Sequence, residues 1–506
     1  MMGKNETKLY YYLTGALICL ILLMRRFLST YQHFTVVVFC SLTMFLLLVA
    51  LFYYGLTQTA HKTIQGRLWS LMALLGSGIY LFVLMLPLGL FGFSNYIKFS
   101  VPISGAQFTW ITVNRYPIAI SAVIVYFVLA MIGIYCSGYA RQVVEADGDR
   151  PIQVLGDTVR TRTGKAFLLK AVMVLGMLFG VCILILGLGW LNQSVQNDVG
   201  FFLSQGIIDI VAPFAEIVII SRLLNIEFAH LGHDYLFGGF ALLLIVFAGL
   251  IAGLNPSFYH QPTDKPTIIV HRGVINQNGQ ANTIAALKRN SKYHFPFIEM
   301  DIQETKDHHF ICAHDDDVHI PGQGEREIDQ LDLSTIRKYH HVDMFTDYLR
   351  TANQLEQPLI IELKVTNSSD RLMGTRFANQ FHTQLTVLPD RVHSVGYPYL
   401  RQIKQQVPQV KVGLVTMLNL GNIGRYNVDF YTLQHLTANP FLIASVGKTG
   451  RPVYSWTDDS KLSMIRMEML GTTGQVTDQA FRLQRLHVNP RRDRWILLLN
   501  SLQNYL

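Results

Sequence analysis

Three acidic side chains in the second half of the chain have the types and positions expected of a metal site. Glu299 and Asp301 lie two residues apart in the run FIEMDIQ, so both side chains point to the same side of a β-strand. Glu362 closes another apolar run, PLIIE. Carboxylates this close repel each other unless a cation or a proton lies between them, and hard divalent ions such as Ca²⁺ or Mg²⁺ prefer oxygen ligands of this type. An E-x-D pair alone is more often an ordinary surface pair, so the metal site is predicted from all three acids together.

Two histidines and two basic residues also follow short apolar runs. His271 and Arg272 come after TIIV, His314 comes after FICA, and Lys364 comes after IIEL. Because imidazole titrates near neutrality, two of them facing one phosphate can serve as general base and general acid. Fixed cations stabilise the negative charge that a phosphodiester gathers in its transition state. The alternative is a structural histidine in each case, and salt-bridge roles for Arg272 and Lys364.

Short apolar runs alternate with helical segments throughout residues 267–481. This alternation predicts a parallel sheet, and its length fits an α/β (β/α)8 TIM barrel. The ends of the barrel strands would then bring the polar residues to one rim. Nine candidate strands compete for eight places: TIIVHRG, FPFIEMDIQET, FICAHDDD, PLIIELKV, DRVHSVG, KVGLVTM, DFYTLQH, PVYSWTD and GQVTD.

The first half of the chain is predicted to be an α-helical multi-span membrane domain. Its apolar stretches approach 20 residues, about the length that crosses a hydrocarbon core, and the first is not followed by a signal-peptide cleavage site. Seven spans are predicted, at roughly 10–24, 33–55, 68–93, 117–138, 167–190, 200–221 and 235–254. The predicted domains are the membrane domain at 1–254, a linker at 255–266, the barrel at 267–481 and a C-terminal tail at 482–506.

Basic residues in the loops predict the orientation. The loop at 141–165 holds five Lys and Arg residues, whereas the next connection, LNQSVQND, holds none. Because Lys and Arg favour the cytoplasmic side, the barrel is predicted on the extracellular face of a multi-pass protein of the cell membrane. Arg25 and Arg26 fall on the wrong side in this count.

Two acids lie inside a predicted span. Asp209 and Glu216 are seven residues apart around Pro213, which places them on one helical face. Ionisable groups within a membrane are costly, so one interpretation is a substrate or ion route. The other is that both acids face the interior of the bundle and pair with a base such as Lys170.

Charge and cysteine content exclude several classes of protein. After residue 254 the chain carries 27 Lys and Arg against 24 Asp and Glu, so no basic face for nucleic acid is predicted. Cys312 is the only cysteine in this half, which excludes an internal disulfide and a cysteine zinc site. The tail is basic and then apolar, and it is predicted either to lie on an anionic membrane surface or to cover the barrel as a helix.

Six motifs carry a family resemblance. In chain order, HRG, EMDIQETKD, AHD, IELK, YSWTDD and GQVTD resemble the successive motifs of the glycerophosphodiester phosphodiesterase family, across roughly residues 267–480. The multi-span half is similar to the membrane domain fused to this enzyme in some bacterial members. The resemblance implies a barrel of the phospholipase-C-like phosphodiesterase type. Such an enzyme would cleave a glycerophosphodiester to glycerol phosphate and an alcohol with one divalent ion, Ca²⁺ or Mg²⁺, with Mn²⁺ as a further option.

The same resemblance implies residue roles and one departure. Family members carry Glu-Asn-Thr where this chain has Ala281-Asn282-Thr283, and the missing carboxylate would alter metal affinity or the fit of the polar head. The implied roles are metal ligands at Glu299, Asp301 and Glu362, acid and base at His271 and His314, phosphate binding at Arg272 and Lys364, and packing on the glycerol carbons at Trp456.

Location suggests the class of substrate. A barrel tethered to the bilayer and facing outward would meet lysophospholipids, deacylated lipid headgroups or glycerophosphate polymers such as lipoteichoic acid. A second hypothesis is a membrane transporter or sensor whose catalytically weakened barrel serves as a phosphodiester-binding module.

Overall fold

The computed structural model describes residues 1–31, 33–60, 68–146, 151–230, 235–254 and 265–505, which fall into two compact units. The first unit comprises the described residues of Met1–Ser100, Ala119–Tyr259 and Arg491–Leu506, and the second comprises those of Val101–Ile118 and His260–Pro490. The predicted linker at 255–266 lies outside the described residues except for its last two.

Helices make up the first half of the described chain. All but one belong wholly or mainly to the first unit, the exception being the helix Gly105–Val113, which belongs to the second. In chain order they are α1 Lys4–Thr30, α2 Phe34–Ala60, α3 Leu68–Met85, α4 Ser94–Ser100, α5 Gly105–Val113, α6 Arg115–Tyr135, α7 Tyr139–Glu145, α8 Pro151–Thr161, α9 Gly164–Val195, α10 Asp198–Leu223 and α11 Tyr235–Gly253.

Six helical stretches of the described residues are long and apolar enough to cross a membrane, by length and composition. They correspond to α1, α2, α6 with α7, α9, α10 and α11. The third predicted span, 68–93, is shorter than expected, because α3 ends at Met85 ahead of Pro87 and Gly89. A 3₁₀ turn at Leu90–Gly92 and α4 follow it. Six of the seven predicted spans thus correspond to long apolar helices of the described residues, and the remaining one corresponds to the shorter apolar helix α3.

The two acids of α10 are buried within the first unit, as the interior interpretation predicted. Asp209 Oδ1 lies 3.4 Å from Arg25 Nη1, and Glu216 Oε2 accepts a 2.8 Å hydrogen bond from the Phe91 backbone N–H. Lys170 was the wrong partner, since its Nζ instead contacts the backbone where α10 ends. Arg25 is a buried residue of α1 and not a loop residue, so it does not belong in the loop-charge count.

Close contact between backbones joins α10 to α11. A Cβ atom on Gly206 would lie 2.6 Å from the backbone nitrogen of Gly249, nearer than real Cβ atoms approach other heavy atoms. Because glycine has no side chain, the two helix backbones can approach closely and gain van der Waals contact.

The end of the tail packs within the first unit. It consists of α20 at Pro490–Asp493, a 3₁₀ helix at Arg494–Leu499 and α21 at Asn500–Tyr505. Arg494 Nη1 lies 2.5 Å from Asp198 Oδ1 at the start of α10. Residues 491–505 therefore belong to the helical unit and not to the barrel unit.

A closed barrel of eight parallel strands forms the second unit, as predicted. The strands of the described chain are β1 Thr267–Val270, β2 Phe297–Glu304, β3 Phe310–Cys312, β4 Asp317–Ile320, β5 Gly324–Glu327, β6 Leu359–Leu363, β7 Arg391–Ser394, β8 Lys411–Thr416, β9 Phe430–Gln434, β10 Val453–Trp456 and β11 Gly474–Thr477. The strand order β1-β2-β6-β7-β8-β9-β10-β11 returns to β1 and closes the barrel. The candidate FICAHDDD contains β3, which pairs antiparallel with β2 outside the barrel.

Helices surround the barrel, and local capping fixes where several begin. Thr283, Asn439 and Ser460 each accept a backbone N–H at a helix start, which satisfies a donor that the helix itself cannot pair. The helices of the barrel unit after α5 are α12 Ile284–Asn290, α13 Leu333–Tyr339, α14 Phe345–Gln354, α15 Met373–Phe381, α16 Tyr397–Gln406, α17 Pro440–Gly447, α18 Lys461–Leu470 and α19 Ala480–Arg485.

Residues 101–118 also pack on the barrel, although they come from the first half of the sequence. Thr109 Oγ1 of α5 donates to the Val395 carbonyl oxygen at 3.3 Å and accepts from the Tyr397 N–H at 3.2 Å. The Tyr426 hydroxyl donates to the Ile103 carbonyl oxygen at 2.6 Å. The barrel unit is therefore larger than the predicted 267–481.

An apolar layer inside the barrel supports the strand ends. Because side chains alternate along a strand, Phe297 shares a side with Glu299, Ile360 with Glu362, and Tyr454 with Trp456. The residues of this apolar layer are buried and pack together, and we call the layer the barrel floor. The polar residues two positions later along each strand lie directly above it. The floor consists of Ile269, Phe297, Ile360, Phe430, Tyr454 and Val476.

Candidate active site

Strand register brings the predicted acids to one end of the barrel. Asp301 on β2 is level with Glu362 on β6, which is level with His393 on β7. Val270 pairs with Ile298, so His271, the next residue, comes level with Glu299. Partners in parallel strands point to the same side, and these side chains therefore form two adjacent rows at the mouth.

Glu299 and Glu362 belong to a compact group of metal-type ligands. Within the described part of the chain, one ligand atom from each of Glu299, Glu362 and His393 lies within 4.8 Å of the other two. Glu299 and His393 are buried and Glu362 is half-buried. Carboxylate and imidazole groups at such distances can bind one divalent ion.

Asp301 lies in the same pocket, but its nearest partners are cationic and amide groups. Its Oδ2 atom is 3.4 Å from Arg272 Nε and accepts a 2.9 Å hydrogen bond from the Asn282 amide, and its Oδ1 atom is 3.9 Å from Lys364 Nζ. Burial raises the pKa of Asp301, and the charges of Glu299 and Glu362 raise it further. Without an added cation, Asp301 therefore holds its proton to higher pH than a free aspartate does.

Glu299 responds in the opposite direction. Burial raises the pKa of this carboxyl, but nearby His393 and His271 and the Arg272 backbone N–H, which donates to Oε2 at 2.9 Å, lower it by more. Glu299 therefore stays ionised, and its negative charge is stabilised by the two histidines and by the Arg272 backbone N–H.

His271 is held by a residue that the sequence motifs did not single out. Its Nδ1 atom lies 2.8 Å from Oδ1 of Asp478, which directly follows β11. Burial lowers the pKa of His271, yet this hydrogen bond and the charge of Glu299 outweigh burial and raise it overall. A carboxylate on Nδ1 fixes the ring and leaves Nε2 for proton transfer.

His314 reaches the same charged surroundings from outside the barrel. It follows β3, and the adjacent Ala313 N–H donates to the Asp301 carbonyl oxygen at 3.1 Å, which ties this loop to β2. Burial lowers the pKa of His314, as do the charges of Lys364 and Arg272. Its Nδ1 atom lies 2.8 Å from Asp315, whose side chain is 89% exposed.

The two basic residues are tied directly to the acids. Arg272 lies in a 3₁₀ turn with a φ of 51°, which bends the chain so that its own N–H reaches Glu299. Lys364 Nζ is 3.7 Å from Glu362 Oε1, and although burial lowers the pKa of Lys364, Glu362 and Asp301 raise it overall. Both side chains therefore lie beside the acids, where they could also contact an anionic group.

Trp456 ends β10 on the side of the barrel floor. Its ring packs against the floor residues, and its Nε1–H has no hydrogen-bond partner among the described residues. An apolar face next to the charged rows is suited to the carbon atoms of a small polar substrate.

The departure at Ala281 lies beside a well-anchored residue. Asn282 donates to Asp301 Oδ2, accepts from the Asp301 N–H at 3.0 Å, and donates its own N–H to the Arg272 carbonyl oxygen at 2.9 Å. The loop is thus fixed at the site by backbone and amide bonds that do not depend on a carboxylate at position 281.

Three site residues were missed in the sequence: Asn282, His393 and Asp478. Asn282 and Asp478 stood within recognised motifs, and the position of Asp478 at the end of a strand could have indicated a role. His393 stood inside the run DRVHSVG, where a histidine in a buried strand reads as structural.

Comparison with known proteins agrees with this geometry. Residues 271–480 match the Glycerophosphoryl diester phosphodiesterase family. The glycerophosphodiester phosphodiesterase of Caldanaerobacter subterraneus subsp. tengcongensis is 26% identical over 235 residues, covering 42% of this chain and 94% of the relative.

Similar solved structures include two phosphodiesterases. A glycerophosphodiester phosphodiesterase from Parabacteroides distasonis has 20% identity, covers 44% of this chain and 96% of that chain, and has a TM-score of 0.39. An Oleispira antarctica phosphodiesterase in complex with the product sn-glycerol-3-phosphate has 16% identity and a TM-score of 0.38, and the match covers 43% of this chain and 95% of that chain.

The matched segment begins at His271 and contains every residue predicted for the site. The resemblance that the motifs carried is thereby confirmed for the second half of the chain. Residues 271–480 form a domain of the glycerophosphoryl diester phosphodiesterase family, and the chain is consistent with an enzyme of that type.

Proposed function

We propose that this protein hydrolyses glycerophosphodiesters to glycerol phosphate and an alcohol, with the help of a divalent metal ion, at a membrane surface. The observation that carries the proposal is the convergence of Glu299 and Glu362, with ligand atoms within 4.8 Å, beside the His271–Asp478 pair.

The residues fit a divalent ion. Glu299 and Glu362 offer oxygen ligands, Asp301 adds a third carboxylate on the same strand as Glu299, and the raised pKa of Asp301 marks an excess of negative charge at the site. A bound cation would relieve this repulsion and supply Lewis-acid polarisation of a phosphoryl oxygen.

The remaining side chains would bind the substrate and move protons. Arg272 and Lys364, both close to the acids, would bind the phosphate oxygens and stabilise charge that grows in the transition state. His271 and His314 would divide the roles of general base and general acid, one taking a proton from the attacking oxygen and the other protonating the departing alcohol. Trp456 would pack against the glycerol carbons.

The apolar helices support action at a membrane. Six stretches suited to crossing a bilayer would tether the barrel near lipid headgroups, and the loop charges favour the extracellular face of a bacterial cell membrane. Lysophospholipids, deacylated headgroups and glycerophosphate polymers share the glycerophosphodiester group, and all three are proposed as the substrate class.

The test uses the full chain in detergent, because residues 101–118 pack on the barrel. Metal is removed with a chelator, and Ca²⁺, Mg²⁺ or Mn²⁺ is restored. Glycerol phosphate release is then measured from glycerophosphocholine and lipoteichoic acid, and release of acylglycerol phosphate is measured from a lysophospholipid. Glu299→Gln should abolish release. Asp390→Asn, which alters a buried acid at the start of β7, is the matched control and should retain it.

One observation favours the second hypothesis, a transporter or sensor with a binding barrel. Ala281 stands where the family resemblance implies a glutamate. If no ion supports release from any of the three substrates while a glycerophosphodiester still binds, the binding module is the correct interpretation and the hydrolase is not.

A further inference from the structure

His393 has an unusual environment for a buried histidine. Its side chain is 3% exposed, and its Nε2 atom has no hydrogen-bond partner among the described residues. Burying a polar atom without a partner is costly, and such atoms are rare in native proteins. Binding of a metal ion to such a nitrogen would remove this cost.

The other ring nitrogen of His393 is satisfied. Nδ1 lies 3.0 Å from the hydroxyl oxygen of Thr432 on β9. If Nδ1 carries the proton and donates to Thr432, the lone pair of Nε2 faces away from that strand. Histidines that bind metals characteristically donate their other N–H to an oxygen in this way, which fixes both the tautomer and the ring plane.

The free nitrogen points toward the carboxylates. Nε2 lies 3.9 Å from Glu299 Oε1, too far for a hydrogen bond, and His393 is level with Glu362 in the β6–β7 register. A separation of this size between two ligand atoms leaves room for an ion that contacts both.

We propose that His393 is a nitrogen ligand of the metal ion, together with Glu299 and Glu362. The inference rests on the proposed function, since it concerns the ion of that same site. A mixed set of nitrogen and oxygen ligands favours a first-row transition ion such as Mn²⁺ over Ca²⁺, because imidazole is a poor ligand for hard alkaline-earth ions. His393 therefore determines metal specificity, and the Ca²⁺ or Mg²⁺ predicted from the carboxylates alone is replaced by a transition ion.

Metal binding to the full chain tests this directly. Calorimetry would measure the affinities of the chelator-treated protein for Mn²⁺ and Ca²⁺, and pulsed EPR would detect ¹⁴N coupling to bound Mn²⁺. In His393→Gln, Mn²⁺ affinity should fall by at least about tenfold and the nitrogen coupling should disappear, whereas Ca²⁺ affinity changes less than about threefold. Retained Ca²⁺ binding shows that the variant is folded.

Two further variants keep the proposal falsifiable. His271→Gln removes the other histidine beside Glu299, and it should retain the nitrogen coupling. Thr432→Val keeps the imidazole but removes the partner of Nδ1, so Mn²⁺ binding should weaken about tenfold even if His393→Gln fails to fold. The assignment would be overturned if the parent protein showed no nitrogen coupling or if the coupling persisted in His393→Gln. Unchanged Mn²⁺ affinity in both His393→Gln and Thr432→Val would also overturn it.

Hydrolysis is assayed separately so that the two proposals can fail independently. An active enzyme whose Mn²⁺ shows no nitrogen coupling would refute the ligand role and leave the proposed function standing. A chain with the His393 coupling that releases no glycerol phosphate would refute the proposed function and retain the metal site.

Discussion

The hydrogen bond between His271 and Asp478 makes a sharp prediction about catalysis. Asp478→Asn preserves the size of the side chain but removes the charge that lies 2.8 Å from Nδ1. If His271 becomes an imidazolium during the reaction, this variant loses the stabilisation of that cation. The loss should appear in the rate of turnover and not in folding, because Asp478 is only half-buried at the end of a strand.

Burial sets the size of the effect. The side chains of His271 and Asp478 are 14% and 32% exposed, so the bond is largely shielded from water. A hydrogen bond to a charged group contributes about 1.5–3 kcal/mol, which corresponds to roughly a 10- to 100-fold loss in kcat/KM. The pKa of His271 should also fall, because Asp478 is one of the groups that raise it.

A matched control exists at the second histidine. His314 Nδ1 and Asp315 Oδ1 are also 2.8 Å apart, but Asp315 is 89% exposed. An exposed pair contributes only about 0.2–1 kcal/mol, so Asp315→Asn should reduce kcat/KM by less than about fivefold.

The assay is the pH dependence of glycerol phosphate release by the two variants and the parent. The limb that His271 governs should move to lower pH in Asp478→Asn and remain nearly in place in Asp315→Asn. Equal losses in the two variants, or a full rate with an unmoved profile in Asp478→Asn, would refute the catalytic interpretation and leave the pair a structural contact.

Three further predictions concern the acids of both units, each tested on the full chain in detergent. Glu362→Gln should abolish glycerol phosphate release while changing the thermal unfolding midpoint by only a few degrees; global unfolding would mean that the acid is structural. Burial raises the pKa of Asp390 to about 7, above its ordinary 3.8, so its stabilising protonation is lost as the pH rises through 7. Asp390→Asn should therefore be more stable than the parent at pH 8, by up to about 4 kcal/mol, and similar to it near pH 4, and equal stability at both pH values would contradict this. Arg25→Met should destabilise the helical unit by about 3–5 kcal/mol because it removes one partner of a buried ion pair, and Asp209→Leu added to it should restore much of the loss. No recovery in the double variant would show that the 3.4 Å ion pair is not the cause.

Local pattern was sufficient for the architecture of the second half. Alternating strands and helices predicted the barrel, and strand endings such as those at His271 and Glu362 predicted the rim, because a side-chain period of two and short buried runs are visible in the sequence. The local pattern could not show which of the nine strand candidates lies outside the barrel. Whether FIC pairs parallel inside the barrel or antiparallel outside it depends on partners far away along the chain.

The ligands and partners of the site depended on tertiary structure to different degrees. The acids Glu299, Asp301 and Glu362 could be predicted as site residues from the sequence, since each lies in one of the recognised motifs. His393 could not be identified from its own strand, because only the register between β6 and β7 brings it level with Glu362.

In the first half of the chain, composition alone predicted apolar helices. The roles of the charged residues depended on which side chains meet in the folded structure. Arg25 counted as a loop charge on the wrong side of the membrane in the sequence, whereas in the structure it pairs with Asp209. Most of residues 101–118 fell between the predicted spans 68–93 and 117–138, whereas in the structure they belong to the barrel unit. Sequence alone determined which segments bury apolar surface and which side chains can do chemistry, because both follow from nearby residues. Tertiary structure decided which of those side chains meet, because contacts across hundreds of residues leave no periodic signal in the chain.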